Sequence, residues 1–144
     1  MLTQAEADNL IAMLKTIERP TAFRFPLAGE QKTVDAVSGD GRERFLFDVN
    51  RSHIKLSKCT YQNRYRKDTV LLRLDIGRGP HNNPDGSSVD CPHLHIYKEG
   101  YEDRWAYALP AGFTADENLI TKLIEFLKYC NVENIDALPM QGAI

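Results

Sequence analysis

Apolar residues recur at helical spacing near both ends of the chain. In the N-terminal stretch they repeat every three or four positions, at Leu10, Ile11, Leu14 and Ile17. Thr3 and Glu6 precede this stripe with the spacing of a capping box, in which each side chain accepts the backbone N–H of the other. Pro20 disfavours helical backbone in the residue before it. The pattern predicts a helix over residues 3–18.

A second helical stripe lies near the C-terminus. Its apolar members are Leu119, Ile120, Leu123, Ile124, Leu127 and Cys130. Thr114 and Glu117 have the spacing of another capping box, so the predicted helix spans residues 114–131. Residues 133–144 contain Pro139 and Gly142 and show no period, which predicts an irregular tail.

Between the helices, apolar residues alternate with polar ones, which is the period of a strand with one buried face. Seven such stretches lie at 23–25, 34–36, 44–49, 54–57, 70–75, 93–98 and 104–109. Short turns link them, so the strands of region 23–109 are expected to be antiparallel. The prediction is a single α+β domain over 1–144, with an antiparallel sheet of six to seven strands flanked by an N-terminal and a C-terminal helix. We expect the helices to cover one sheet face and to leave the other free for function.

Three of the four histidines fall within a short segment. His81 lies in a loop predicted over 79–92, which contains strong turn signals. His93 and His95 follow on a predicted strand, two positions apart, and therefore share one face. Glu99 would continue that face if the strand stayed regular.

Imidazole nitrogens and carboxylate oxygens are typical zinc ligands. One hypothesis is therefore a metal site formed by His81, His93, His95 and Glu99, holding zinc or another divalent transition metal. The spacing of His93, His95 and Glu99 resembles half of the first cupin metal motif. The second cupin motif needs a further histidine, and none follows His95.

The same histidines can also act without a metal, because imidazole titrates near working pH. A metal-independent ribonuclease needs a base for the 2′-hydroxyl, an acid for the leaving 5′-oxygen and a cation for the phosphate. In this hypothesis His93 and His95 are the catalytic acid and base, His81 assists them, and no cofactor is required. A third interpretation is that these histidines only hydrogen-bond their neighbours on a half-buried strand.

Charge is unevenly distributed along the chain. The net charge is −2, from 18 Lys and Arg against 20 Asp and Glu, which by itself argues against a strongly basic nucleic-acid binder. The segment from Arg42 to Arg78, however, contains ten cations and four acids and carries +6, which leaves −8 for the rest. Cations bind phosphates and tyrosines stack on unpaired bases. The candidate nucleic-acid-binding residues are Lys55, Lys58, Tyr61, Arg64, Tyr65, Arg66 and Arg73. A solvated hairpin, or an interface for an acidic protein, would show the same composition.

Two motifs carry a resemblance to a known family. They are PHNNPDG followed by CPHLHIYKEGY at residues 80–86 and 91–101, and TYQNR at 60–64. Both are similar to motifs in a family of small bacterial and prophage proteins of unknown function, and the resemblance covers most of the chain. It transfers no activity, although small proteins of mobile elements are often toxins, antitoxins or anti-defence factors.

The leading hypothesis is a toxin-like endoribonuclease of a bacterial mobile or defence-related system. The alternatives are a non-enzymatic antitoxin or anti-defence protein that masks a partner, and a metal-binding domain or metal-dependent enzyme. The expected partner is RNA or an acidic protein such as a cognate antitoxin, toxin or defence protein, and a homodimer is a further possibility. No apolar run approaches the ~18 residues of a membrane span, and the acidic N-terminal stretch is unlike a signal peptide. We therefore expect a cytoplasmic protein without a membrane partner.

Overall fold

The computed structural model describes residues 1–55 and 57–140. In chain order the elements are α1 (Gln4–Ala12), β1 (Lys15–Ile17), β2 (Gln31–Ser38), β3 (Arg44–Arg51), β4 (Cys59–Tyr65), β5 (Thr69–Ile76), β6 (His81–Asn82), β7 (Ser88–Val89), β8 (His93–Ile96), β9 (Ala106–Ala108) and α2 (Leu119–Tyr129). Short 3₁₀ turns lie at Pro20–Ala22 and Ile135–Ala137.

Seven strands form one sheet in the order β1-β2-β3-β4-β5-β8-β9, and each neighbouring pair is antiparallel. Strands β6 and β7 form a separate two-stranded ribbon between β5 and β8 in the chain. The predicted α+β fold with an antiparallel sheet and flanking helices is therefore confirmed. Neither helix of the described residues is long and apolar enough to cross a membrane.

Helix α1 is shorter than predicted. Its capping box is present: Thr3 Oγ1 accepts from the Glu6 N–H at 3.1 Å, and Glu6 Oε1 accepts from the Thr3 N–H at 2.9 Å. The helix ends at Ala12, and Lys15–Ile17 pairs with β2 as an edge strand. Leu14, which the apolar stripe assigned to the core, is 44% exposed. Strand pairing therefore overrides the local helical period.

Helix α2 begins at Leu119 rather than at 114. Asn118 caps it, because its Oδ1 accepts from two backbone N–H groups of the first turn at 2.9 and 3.0 Å. The predicted capping box of Thr114 and Glu117 is wrong. The Thr114 hydroxyl instead donates to the Glu125 carboxylate at 2.6 Å. Asn and Thr both cap helices well, so residue type alone did not separate the two positions.

Two of the predicted strands are absent from the described residues, and besides β1 one strand of the sheet was not predicted. Residues 23–25 form no strand, and Phe23 and Phe25 are buried in irregular backbone after a 3₁₀ turn. The stretch 54–57 lies in the connection between β3 and β4, and its Leu56 is outside the described residues. Strand β4 was not among the predicted stretches. Its residues lie in the basic segment, where the cations and tyrosines were considered as a binding surface rather than as a strand.

The tail is less irregular than predicted. It contains the 3₁₀ turn Ile135–Ala137, and Leu138 is buried in the core at 6% exposure. Residues 141–144 of this predicted tail are outside the described residues.

The two faces of the sheet differ in chemistry. One face joins both helices in the apolar core, which includes Phe47, Tyr61, Leu74, Leu94 and Phe126. On the other face, strand register aligns polar residues in rows that cross the sheet. The first row is Gln31, Asn50, Thr60, Asp75 and His93, and the second is Thr33, Asp48, Gln62, Arg73 and His95.

Candidate metal centre

Strands β5 and β8 bring two histidines and an aspartate together on the polar face. Asp75 lies opposite His93, and Arg73 lies opposite His95. Residues directly opposite on an antiparallel pair have neighbouring side chains on one face. Asp75, His93 and His95 are buried, at 6%, 2% and 1% exposure. We call these three residues the histidine–aspartate cluster.

The Nε2 atoms of both histidines point at one carboxylate oxygen. His93 Nε2 lies 3.3 Å from Asp75 Oδ2, and His95 Nε2 lies 3.2 Å from it. The ligating atoms that the three residues offer all lie within 4.8 Å of one another. Two imidazole nitrogens and one carboxylate oxygen in this arrangement are a suitable donor set for one divalent transition-metal ion.

The other nitrogen of each ring faces a backbone carbonyl. His93 Nδ1 lies 3.2 Å from Asp90 O, and His95 Nδ1 lies 2.8 Å from Asp103 O. A carbonyl oxygen only accepts, so the hydrogen-bond network assigns a proton to each Nδ1. In its neutral form, each ring therefore directs the Nε2 lone pair towards Asp75. Metal-ligating histidines usually have this carbonyl support behind them.

The Asp75 carboxylate is held in its ionised form. Its Oδ1 accepts from Arg73 Nε at 3.2 Å and from the Thr60 hydroxyl at 3.4 Å. Burial raises the pKa of Asp75, but the adjacent His95 ring and the charge of Arg73 outweigh burial and lower the pKa to about 2. Burial is also the main cause that lowers the pKa of His93, which favours the neutral ring.

Arg73 is the cation that contacts the histidine–aspartate cluster. One guanidinium nitrogen lies 3.1 Å from His95 Nε2, and another donates to Asp103 at 2.7 Å. The guanidinium would therefore compete with a metal ion for His95 Nε2. Asp103 would still anchor Arg73 if a metal ion bound that nitrogen.

The β6–β7 ribbon, residues 81–89, covers the cluster, and we call it the flap. The His81 ring centroid lies 4.6 Å from that of His95 and 5.8 Å from that of His93. Its Nε2 lies 2.8 Å from Arg104 O and donates to it. The structure thus brings the three clustered histidines together, with the partly exposed His81 above the two buried ones.

Asn83 fastens the flap to the edge strand β9. Its amide nitrogen donates to Ala106 O at 3.0 Å, and its amide oxygen accepts from the Ala106 N–H at 2.8 Å. The side chain therefore pairs with Ala106 as a strand backbone would.

Replacing Asn83 with Ala is expected to loosen the flap. The substitution leaves both Ala106 backbone groups unpaired, which costs about 1–3 kcal/mol. Hydrogen exchange at the Ala106 amide should accelerate, and the exposed neighbour Asn82→Ala is the matched control. An Ala106 amide that stays equally protected in Asn83→Ala would show that the side chain does not form this clamp.

A family model described as "Family of unknown function (DUF6978)" matches residues 2–132, a range that contains the whole cluster and the flap. The chain belongs to DUF6978. Membership confirms the resemblance to a family of unknown function. No curated protein and no solved structure gives a match.

Glu99, a predicted ligand, lies away from the cluster of this DUF6978 member. Strand β8 ends at Ile96, and Glu99 Oε1 accepts from the Gln4 N–H at 2.8 Å, at the start of α1. Asp75 takes the carboxylate position instead. Sequence reasoning missed Asp75 because it lies 18 residues before His93 on another strand. The sequence did place Asp75 at a polar position of the alternating pattern in β5, and this signal could have pointed to it.

The two tyrosines of the basic segment do not present open rings. Tyr61 is fully buried and donates its hydroxyl to Leu119 O at 2.6 Å. Tyr65 is 7% exposed and donates to Glu43 at 2.7 Å. Stacking on a base requires an accessible ring face, so the structure contradicts this predicted role for Tyr61 and leaves Tyr65 little surface for it.

The predicted phosphate-binding cations are dispersed. Arg64 forms a two-pronged ion pair with buried Asp48, at 2.6 and 2.8 Å, and Arg66 lies over the Tyr65 ring. Lys55 lies in the connection after β3, with its Nζ 3.4 Å from Gly77 O. Of these candidates Arg73 contacts the histidines, and Lys58 lines a separate cavity.

Proposed function

We propose that the protein binds one divalent transition-metal ion through Asp75, His93 and His95, with His81 beside the ion. The observation that carries this proposal is the orientation of the two imidazoles. Both Nδ1 atoms face backbone carbonyls, so both Nε2 atoms of the neutral rings direct their lone pairs at one carboxylate oxygen.

Three electron-rich atoms this close repel one another unless a cation lies among them. Arg73 supplies positive charge to His95 Nε2. In the described part of the chain, the polar contact of His93 Nε2 is with Asp75 Oδ2, an oxygen that only accepts when the carboxylate is ionised. A metal ion would provide the missing charge and bond to all three atoms.

The donor set indicates an open metal site. Two nitrogens and one oxygen suit zinc and other first-row transition metals, and three protein ligands leave coordination positions for water or a substrate. An ion so held acts as a Lewis acid that lowers the pKa of a bound water or polarises a bound oxyanion. The role of this chain is to orient the imidazoles, keep the carboxylate ionised and shield the site with the flap.

The metal-free endoribonuclease remains a prediction, and burial makes it the weaker explanation of the histidines. His93 and His95 would have to reach an RNA phosphate, yet both rings lie beneath His81. Metal binding requires no such access for a large substrate, because an ion can bind to the two rings in their buried positions. The roles in a mobile element, in defence or as a masking partner also remain predictions.

Metal titration of the chelator-treated full chain tests the proposal. We expect one equivalent of Zn²⁺ or Co²⁺ to bind, with Co²⁺ giving visible absorption bands of a low-symmetry site. The folded state should gain about 2.7 kcal/mol at a free metal concentration of 100 times the Kd. Glu99→Gln should bind like the parent chain. No uptake and no change in unfolding temperature with any first-row divalent metal would contradict the proposal.

A further inference from the structure

A cavity of about 350 Å³ lies at the end of the sheet where β2 begins and β3 ends. Its lining includes the cations Arg51, Lys58 and Arg78 and the amides Gln31 and Asn50. The acidic residue in the lining is Glu30, whose carboxylate accepts from the Leu27 N–H at 2.8 Å. The cavity is therefore cationic and rich in hydrogen-bond donors.

The cavity and the proposed metal ligands belong to the same row of the polar face. Asn50 is the register partner of Thr60, and Thr60 is the partner of Asp75. Neighbouring strands lie roughly 4.8 Å apart, which places Asn50 roughly 10 Å from Asp75 along the row. One ligand of moderate size spans that distance.

Arg78 lies between the cavity and the cluster. Its Nε and one terminal nitrogen donate to Thr60 Oγ1 at 3.3 and 3.2 Å, and the Thr60 hydroxyl in turn donates to Asp75 Oδ1. The Arg78 residue is exposed, and no carboxylate in the described part of the chain forms an ion pair with it. Its backbone N–H donates to Cys91 Sγ at 3.3 Å, which anchors the segment.

We infer that this cavity binds the phosphate group of a phosphate-ester ligand whose other end reaches the metal ion. The inference rests on the proposed function, and it names the substrate class of that site. A guanidinium presents a planar fork to two phosphate oxygens, and the Lys58 ammonium adds a point charge. The Gln31 and Asn50 amides offer N–H donors to the remaining oxygens. The charges of Arg78 and Lys58 match an anion, and the volume lies in the range of small-ligand sites.

Calorimetric titration of the zinc-loaded full chain with inorganic phosphate and with a nucleoside monophosphate tests the inference. Arg78→Gln should weaken binding of both anions about tenfold or more, because it removes charge-assisted hydrogen bonds. Lys58→Gln should weaken it less. Arg42→Gln, in the β2–β3 turn at the opposite end of β2, is the matched control and should bind like the parent chain. A tighter complex with the ester than with free phosphate identifies the ester as the ligand.

Two results separate this inference from the metal proposal. Zinc content that is unchanged in Arg78→Gln, together with weakened phosphate binding, supports the cavity. Phosphate affinity that is equal in Arg78→Gln and the parent chain overturns the inference, whatever the metal content. A chain that takes up no metal but still binds phosphate through Arg78 supports the cavity and contradicts the metal site.

Discussion

Replacing His93 or His95 with Gln is expected to abolish stoichiometric metal binding. Each substitution removes one of the three proposed ligand atoms while keeping a polar side chain of similar size. Loss of an outer partner of a metal ligand already weakens affinity roughly 10–100-fold, so loss of a ligand should cost more. Elemental analysis and the Co²⁺ absorption spectrum measure the change.

Asp75→Asn should give the same result, because the amide lacks the negative charge that would attract a divalent ion bound by two neutral imidazoles. Glu99→Gln is the control, since Glu99 contacts the start of α1 rather than the cluster. Unfolding curves in excess chelator show whether each variant folds without metal. A folded His95→Gln chain that retains a full equivalent of tightly bound metal would rule out His95 as a ligand.

Replacing Arg64 with Met is expected to lower the free energy of unfolding by about 3 kcal/mol. The substitution leaves the Asp48 carboxylate, whose side chain is 1% exposed, without its ion-pair partner. Thr33 and Gln62 still hydrogen-bond Asp48. The loss in free energy of unfolding should therefore lie near the lower end of the range for broken buried ion pairs. Chemical denaturation of the metal-free chain measures the difference.

The effect of Arg64→Met should depend on pH. Burial raises the pKa of Asp48, but hydrogen bonds from Arg64, Thr33 and Gln62 outweigh burial and hold the pKa below its usual value. A carboxyl group with a depressed folded pKa contributes its full stability above its unfolded pKa, and that contribution is lost as the pH falls through the folded pKa. The gap between parent and variant should therefore narrow below about pH 4.

Arg66→Met is the matched control for this ion pair, because Arg66 is an exposed cation two residues away. We expect it to change stability by about 0.5 kcal/mol or less. Equal, small effects of the two substitutions would show that the Arg64–Asp48 pair does not stabilise the fold. Arg64 would then again be a candidate for contacts with phosphate.

The period of the hydrophobic pattern was sufficient to predict the fold class. The residues at which helices and strands begin and end depend on pairing between distant segments. The Thr3–Glu6 capping box is local, and it formed as predicted. Leu14 continued a helical stripe, yet the following residues pair with β2 across the sheet. No local pattern carries that information, because the paired residues lie 19 to 23 positions apart in the chain.

For the candidate site, too, the local pattern predicted one part and the pairing of distant strands determined the rest. The alternation that placed His93 and His95 on one face is local, and the structure keeps it. Asp75 joins the site because β5 pairs with β8 in a register that places Asp75 opposite His93. The local sequence does not show which strands pair or in which register. Glu99 lies outside the site because β8 ends at Ile96 and the chain then turns. The prediction had assumed that the strand continues to Glu99 with the same alternation. Tyr61 appeared in a basic segment, although its side of β4 packs against α2.

Anomalous diffraction from zinc-loaded crystals, recorded at the zinc absorption edge, tests the metal centre most directly. We expect one strong peak per chain, roughly 2.0–2.2 Å from Asp75 Oδ2, His93 Nε2 and His95 Nε2, with Arg73 withdrawn from His95 towards Asp103. A zinc peak on other residues, or an Arg73 guanidinium still on His95 Nε2 with no peak in the cluster, would contradict it.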